Sequence, residues 1–129
     1  MTTDLWMLVC TALLSMFFFF AYLPGRAAVP GGLAWAFGNR EAPLDVPAWT
    51  SRAVRAHQNL VENLAPFAIL VLVAHVTGKS NATTALGATL FFWGRIGHAA
   101  TYIAGVIYVR TAAFFVATIG ELLILSQLF

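Results

Sequence analysis

Hydrophobic and polar positions in this chain fall into long blocks, and they do not alternate as strands would. Leu5–Leu23 contains no charged residue and holds the Phe17–Phe20 run. Nineteen residues at helical rise span about 28 Å, close to the ~30 Å hydrocarbon core of a bilayer. A secretory leader would want a basic start and a shorter apolar segment, but the only charge ahead of this run is Asp4. A retained helix over 5–23 is therefore expected. Pro24-Gly25 is expected to end it, because proline removes a donor and glycine relaxes the backbone. The segment 24–51 follows as a loop carrying Pro30, Gly31, Gly32, Pro43 and Pro47. It is too long for a plain connector. Within it, Leu33–Phe37 with Trp35 suits the headgroup level, where tryptophan is enriched.

Ser51 is the expected cap of a second helix over 52–76, polar in its first turns and apolar beyond Phe67. Thr77–Asn81, with Gly78, reads as a tight connector. A third helix is expected over 82–109 and a fourth over 111–129, with Tyr108, Val109 and Arg110 marking the turn between them. No internal repeat or low-complexity tract appears. The pattern predicts an all-α fold: an integral membrane four-helix bundle occupying residues 1–129 as one domain.

Composition strengthens this reading. The chain is 60% hydrophobic and 9% charged, with a mean hydropathy of +0.83. A soluble domain carries roughly 25% charged residues, so there is too little polar surface here to face water. The net charge of +2 rests on seven scattered basic residues, which excludes a nucleic-acid patch. Cys10 stands alone in an apolar run, and no intrachain disulfide is available to it. Arg26, Arg40, Arg52, Arg55 and Arg110 fall on one side of a four-span layout, and Lys79 alone on the other. The positive-inside rule then places 24–51 in the cytoplasm and both termini on the non-cytoplasmic side.

Candidate chemistry lies in the polar residues of the spans, since an ionisable group in hydrocarbon costs at least ~2.5–3.5 kcal/mol. Arg55, Asn59, Glu62 and Pro66 fall on one helical stripe, and so do Arg95, His98 and Tyr102. Two such stripes on neighbouring helices are expected to face each other across a shared cleft. One reading makes them interhelical ties, with Glu62 pairing Arg95 or Arg55 and Asn59 bonding across helices. The other makes them a ligand site, because basic groups outnumber acidic ones and suit an anionic ligand. His57 points away from the first stripe and reads as interfacial. His75 reads as a helix-end residue, and Glu121 as an isolated acid seeking a neighbouring helix or subunit. The three histidines lack metal-ligand spacing, so no metal site is expected. No phosphate-binding loop, nucleophile elbow or dinucleotide fingerprint is present. Gly97, Thr101 and Gly105 form a small-xxx-small ladder that permits close packing.

Arg55-Ala56-His57-Gln58-Asn59-Leu60-Val61-Glu62, followed by Pro66-Phe67, resembles the second-helix signature of the MAPEG family, the membrane-associated proteins in eicosanoid and glutathione metabolism. Gly94-Arg95-Ile96-Gly97-His98 with Tyr102 resembles that family's third-helix motif. The similarity runs over the whole chain, and a loop like Trp35–Arg40 points to a bacterial branch and so to a bacterial inner membrane. The resemblance implies a homotrimer with glutathione held between subunits near the cytoplasmic face. Arg55, Asn59 and Glu62 would bind it from one subunit, and Arg95, His98 and Tyr102 would complete the site. Arg110 would be the catalytic, thiolate-stabilising arginine. Gln58 stands where some active members carry arginine. The implied activity is a glutathione-dependent transferase or peroxidase acting on lipophilic electrophiles from the bilayer. The alternative is a non-catalytic lipid-binding or scaffold subunit in a complex with another membrane protein. A transporter is disfavoured, because no inverted repeat or broken-helix pair is seen.

Overall fold

The computed structural model describes residues 1–129, and its regular structure is entirely helical. Helix α1 (Thr3–Phe17) runs without a breaker, tightens into a 3₁₀ turn (Phe18–Ala21) and leads into the short α2 (Leu23–Ala27). Pro24-Gly25 therefore does not end the first helix as expected. Pro24 sits in the first turn of α2, where its missing N–H is not needed. Gly25 instead allows close approach, since a Cβ there would run into the Thr50 hydroxyl. The expected loop 24–51 holds a further short helix, α3 (Gly32–Phe37).

Helix α4 (Ala48–Val76) begins directly after Pro47, four residues ahead of the expected start. Ser51 consequently lies inside the helix and is not its cap. Pro66 sits within α4 and has no N–H to offer the Glu62 carbonyl. Helix α5 (Ala82–Ala104) starts on a capping box in which the Asn81 side chain accepts from Thr83 and Thr84 amides. It ends at Gly105, whose φ of +81° is the left-handed C-terminal stop that glycine adopts without strain. That stop comes before the expected boundary at 109. Tyr108, Val109 and Arg110 accordingly belong to the first turn of α6 (Ile107–Ser126).

Three segments are long and apolar enough to cross a membrane: Thr3–Ala27, α4 and α6. Helix α5 matches them in length but is enriched in threonine, glycine, Arg95 and His98. Its position accounts for this, because it packs against α1, α4 and α6, so its polar positions meet protein. Phe67, Val71 and Ala74 of α4, Ala88 and Phe91 of α5, and Ala117 and Ile124 of α6 form the main core. The Phe67 and Phe91 rings stack at 3.8 Å. A second cluster, Phe18, Ala56 and Leu60 with Tyr22 and Tyr102 against it, joins α1, α4 and α5. The outer faces stay apolar, with Leu13, Phe20, Ile69, Trp93 and Leu122 all exposed.

Polar contacts fasten both ends of the helices. At one end, buried Asp4 accepts hydrogen bonds from the hydroxyls of Ser80 (2.8 Å) and Thr84 (3.3 Å). There too Lys79 donates to the Leu128 carbonyl (2.5 Å) and Asn81 to Gln127 (2.9 Å). Both termini and the 77–81 connection thus share one end. At the other, Arg52 donates to the Ile103 carbonyl (2.9 Å), satisfying an orphan acceptor of the last turn of α5.

The expected ladder Gly97, Thr101, Gly105 is not where the helices come closest. The α5–α6 seam is made by Gly87 and Gly94 against Gly120 and Ala117, where backbone meets backbone. Gly105 instead terminates its helix.

Candidate functional site

Arg95 is only 2% exposed, an unusual place for a guanidinium. Its Nη1 donates to Asn59 Oδ1 of α4 at 2.8 Å. Its charge lies 5.0 Å from the ring centres of both Phe91 and Phe114. Two aromatic faces attract a desolvated cation by about 2 kcal/mol or more, which offsets part of its burial. Its Nε and Nη2 nevertheless have no hydrogen-bond partner, and the Glu121 carboxylate attracts the charge without bonding to it. Glu121 of α6 also buries an unpartnered Oε1. The interior therefore contains one cation and one acid with unused hydrogen-bonding capacity.

The other members of the α5 stripe continue toward the Arg52 end. His98 is buried, with its ring edge-on to Tyr102 at 5.5 Å and 6.1 Å from Phe114. The Arg110 guanidinium covers the Tyr102 ring at 4.4 Å. Arg95, His98 and Tyr102 thus form a column against the Arg110–Phe114 turn of α6. Phe114, which touches two of them, gives no sign of this role in a uniformly apolar helix.

The two polar stripes meet at a single point, the Asn59–Arg95 hydrogen bond. Within one chain they do not enclose the shared cleft that their spacing suggested. The buried face of α4 is Thr50, Ala53, Ala56, Leu60, Phe67, Val71 and Ala74, small or apolar at every position. Arg55 and Glu62 fall on the other side and are exposed, while Asn59 sits half-buried at the border. Asn59, and not Glu62, is the partner that Arg95 finds.

His57 also departs from expectation. It turns inward and ties α4 to α1, with its Nε2 3.0 Å from the Ser15 carbonyl oxygen and its Nδ1 3.1 Å from the Tyr22 hydroxyl. The carbonyl only accepts, so Nε2 carries the proton and Nδ1 accepts from the tyrosine. Phe18 stacks on the ring at 5.1 Å.

Arg55 lines a cavity of about 320 Å³ between the start of α4 and the 26–46 segment, with Arg26, Trp35 and Gln58 on its walls. Arg26 lies 4.6 Å from the Tyr22 ring centre and 5.2 Å from that of Trp35. In the sequence Arg26 is only one more loop charge, and nothing in its spacing connects it to Arg55. A neighbouring hollow is lined by His57, Gln58, Val61 and Glu62. The outward polar face of α4 therefore presents Arg55, Gln58 and Glu62 beside concave surface, with Arg26 of α2 on the far wall of the cavity.

Comparison with individual curated proteins returned no match. The MAPEG family model matches residues 6–129, essentially the whole chain and every residue of this candidate site. The chain, with its signature residues on α4 and α5, belongs to the MAPEG family.

Proposed function

We propose that this protein is a glutathione-dependent membrane transferase or peroxidase acting on lipophilic electrophiles. In this reading α1, α4, α5 and α6 all cross the bilayer as a four-helix bundle, and three chains assemble as a homotrimer. The long 24–51 segment lies on the cytoplasmic side of a bacterial inner membrane. Members of this family commonly use glutathione. The observation that carries the reading is the exposed polar face of α4. Arg55, Gln58 and Glu62 stand on the outside of a helix otherwise apolar enough to span a membrane. Lipid is a poor neighbour for such groups, and a second copy of the chain with a polar ligand between the two would satisfy them.

The residues present fit the tripeptide. It offers two carboxylates and an ammonium, and this face offers Arg55 for a carboxylate, Glu62 for the ammonium and half-buried Asn59 for the peptide backbone. Arg95 acts from behind, orienting the Asn59 amide through the 2.8 Å bond. His98 and Tyr102 shape the wall of the neighbouring column, and Tyr102 holds the Arg110 guanidinium against its ring. Glutathione supplies a thiol whose anionic form is the nucleophile. Arg110, half-exposed on the first turn of α6, is the residue that would stabilise that anion.

The second reading, a non-catalytic lipid-binding or scaffold subunit, has one observation in its favour. Arg95 is sealed from solvent by Phe91 and Phe114, so in a single chain it ties helices and touches no ligand. Glutathione binding to the purified protein, read together with thiolate absorbance, separates the two. The transferase reading expects binding, conjugation of a generic electrophile, and loss of the thiolate signal in Arg110→Ala with most of the affinity retained. Absence of binding and conjugation sinks it. A monomer in cross-linking experiments removes the shared site.

A further inference from the structure

We infer that the cavity between α2, α3 and the first turns of α4 is a binding site for the headgroup of an anionic phospholipid. Its walls combine two guanidinium groups, Arg26 and Arg55, with apolar Leu44, Val46 and Trp35, and no acidic residue lines it. Two cations facing one concave space without an internal counter-ion repel each other, and a phosphate between them removes that cost. Since the proposed function gives Arg55 a glutathione carboxylate, the two ligands compete for that guanidinium. Guanidinium is suited to this, because its planar fork meets phosphate oxygens in pairs.

Arg26 is also held in place. Its charge rests between the Tyr22 and Trp35 rings, and Trp35 is fixed in turn by its indole N–H, which donates to the Ala42 carbonyl at 2.5 Å. A pre-positioned cation gives up less freedom on binding than a free one. The size, about 320 Å³, is at the lower end of ligand cavities, which suits a headgroup and not an entire lipid.

The position selects a lipid over a soluble anion. The cavity lies beside the polar first turns of α4, ahead of its apolar length, and in a membrane-crossing helix those turns fall at the headgroup level. Leu33 and Phe37 of α3 are exposed beside it, Phe37 by 91%, and they provide an apolar bed for the upper acyl chain. Arg40 lies 5.7 Å from the Trp35 ring centre, outside the cavity lining. An anionic leaflet attracts such a cluster, whereas a zwitterionic one does not.

The test uses the full-length protein in phosphatidylcholine nanodiscs, titrated with phosphatidylglycerol and read by native mass spectrometry. One phosphatidylglycerol per chain should bind at least about tenfold more tightly than phosphatidylcholine. Arg26→Gln should weaken it about tenfold, the loss of one charge-assisted contact. Gln58→Glu places a carboxylate on the cavity wall without removing a packing contact, and it should weaken binding at least as much. Lys79→Gln, at the opposite end of the helices, should leave it unchanged. Equal binding of the two lipids, or indifference to both cavity variants, overturns the inference. It is also overturned if glutathione, and not phosphatidylglycerol, binds in a manner sensitive to both variants. Selective phosphatidylglycerol binding in a protein that binds no glutathione supports this site while sinking the transferase reading.

Discussion

Replacing Gly120 by alanine tests whether α5 and α6 touch through their backbones. A Cβ at Gly120 would run into the Gly87 carbonyl oxygen, and would lie 2.8 Å from the Phe91 amide nitrogen and 3.3 Å from the Leu90 Cβ. The first two are main-chain atoms of a helix, so no rotamer change relieves them and the helices must separate. Overpacking of this kind costs about 1–3 kcal/mol. Separation also loosens Ala88, Phe91, Ala117 and Ile124, which are fully buried across the same seam. Against this, alanine is favoured over glycine within a helix by about 1 kcal/mol. The net expectation is a loss of up to about 2 kcal/mol. Gly97→Ala is the matched control, because its nearest neighbour would be the Ala113 Cβ at 3.6 Å, an ordinary contact. Only the helix-propensity gain remains there, so that variant should be neutral or up to about 1 kcal/mol more stable. Reversible unfolding in mixed micelles, followed by circular dichroism during a dodecyl sulfate titration, measures both. Equal effects of the two substitutions, or a stabilised Gly120→Ala, would refute the backbone-to-backbone seam.

Two further predictions concern the polar ties. Asn59→Leu strands the Arg95 guanidinium without any hydrogen-bond partner and should cost about 2–4 kcal/mol in the same assay. The double variant Asn59→Leu with Arg95→Met should recover more than half of that loss, whereas simple additivity would show the pair is not coupled. Asp4→Ala removes the acceptor for Ser80 and Thr84. Amide exchange should then quicken over 77–84 and stay unchanged over 103–110, and an equal rise in both would rule out a local fastening.

The two signature stretches were legible because their polar residues are expensive in an apolar helix, and so stand out at helical spacing. Their arrangement was not. Arg55 and Glu62 share a stripe with Asn59, yet only Asn59 reaches Arg95, because Ala53, Ala56 and Leu60 take the inward side of α4. A stripe defines which residues are neighbours on one helix, but the rotation of that helix is set by where its partners accept small or apolar side chains. Arg26 reads in the sequence as a loop charge and no more, for a related reason. It becomes part of a cavity with Arg55 only after the chain turns twice, through α2 and α3. Helix ends were misplaced where Pro47 started α4 early and the left-handed Gly105 stopped α5 early, both matters of local backbone geometry.

The sequence by itself determined that this is a helical chain with segments able to cross a membrane. Uncharged apolar blocks of that length cannot leave their backbone polar groups unpaired in hydrocarbon, and helix satisfies them within each segment. It also carried the family resemblance, through polar residues that stand out in otherwise apolar helices. The tertiary structure alone decided that Arg95 is sealed between two phenylalanines, that His57 ties α1 to α4, and that Gly87 meets Gly120. These depend on which helix faces which, and that choice is made by complementary shape among side chains far apart in sequence, where hydropathy carries no information.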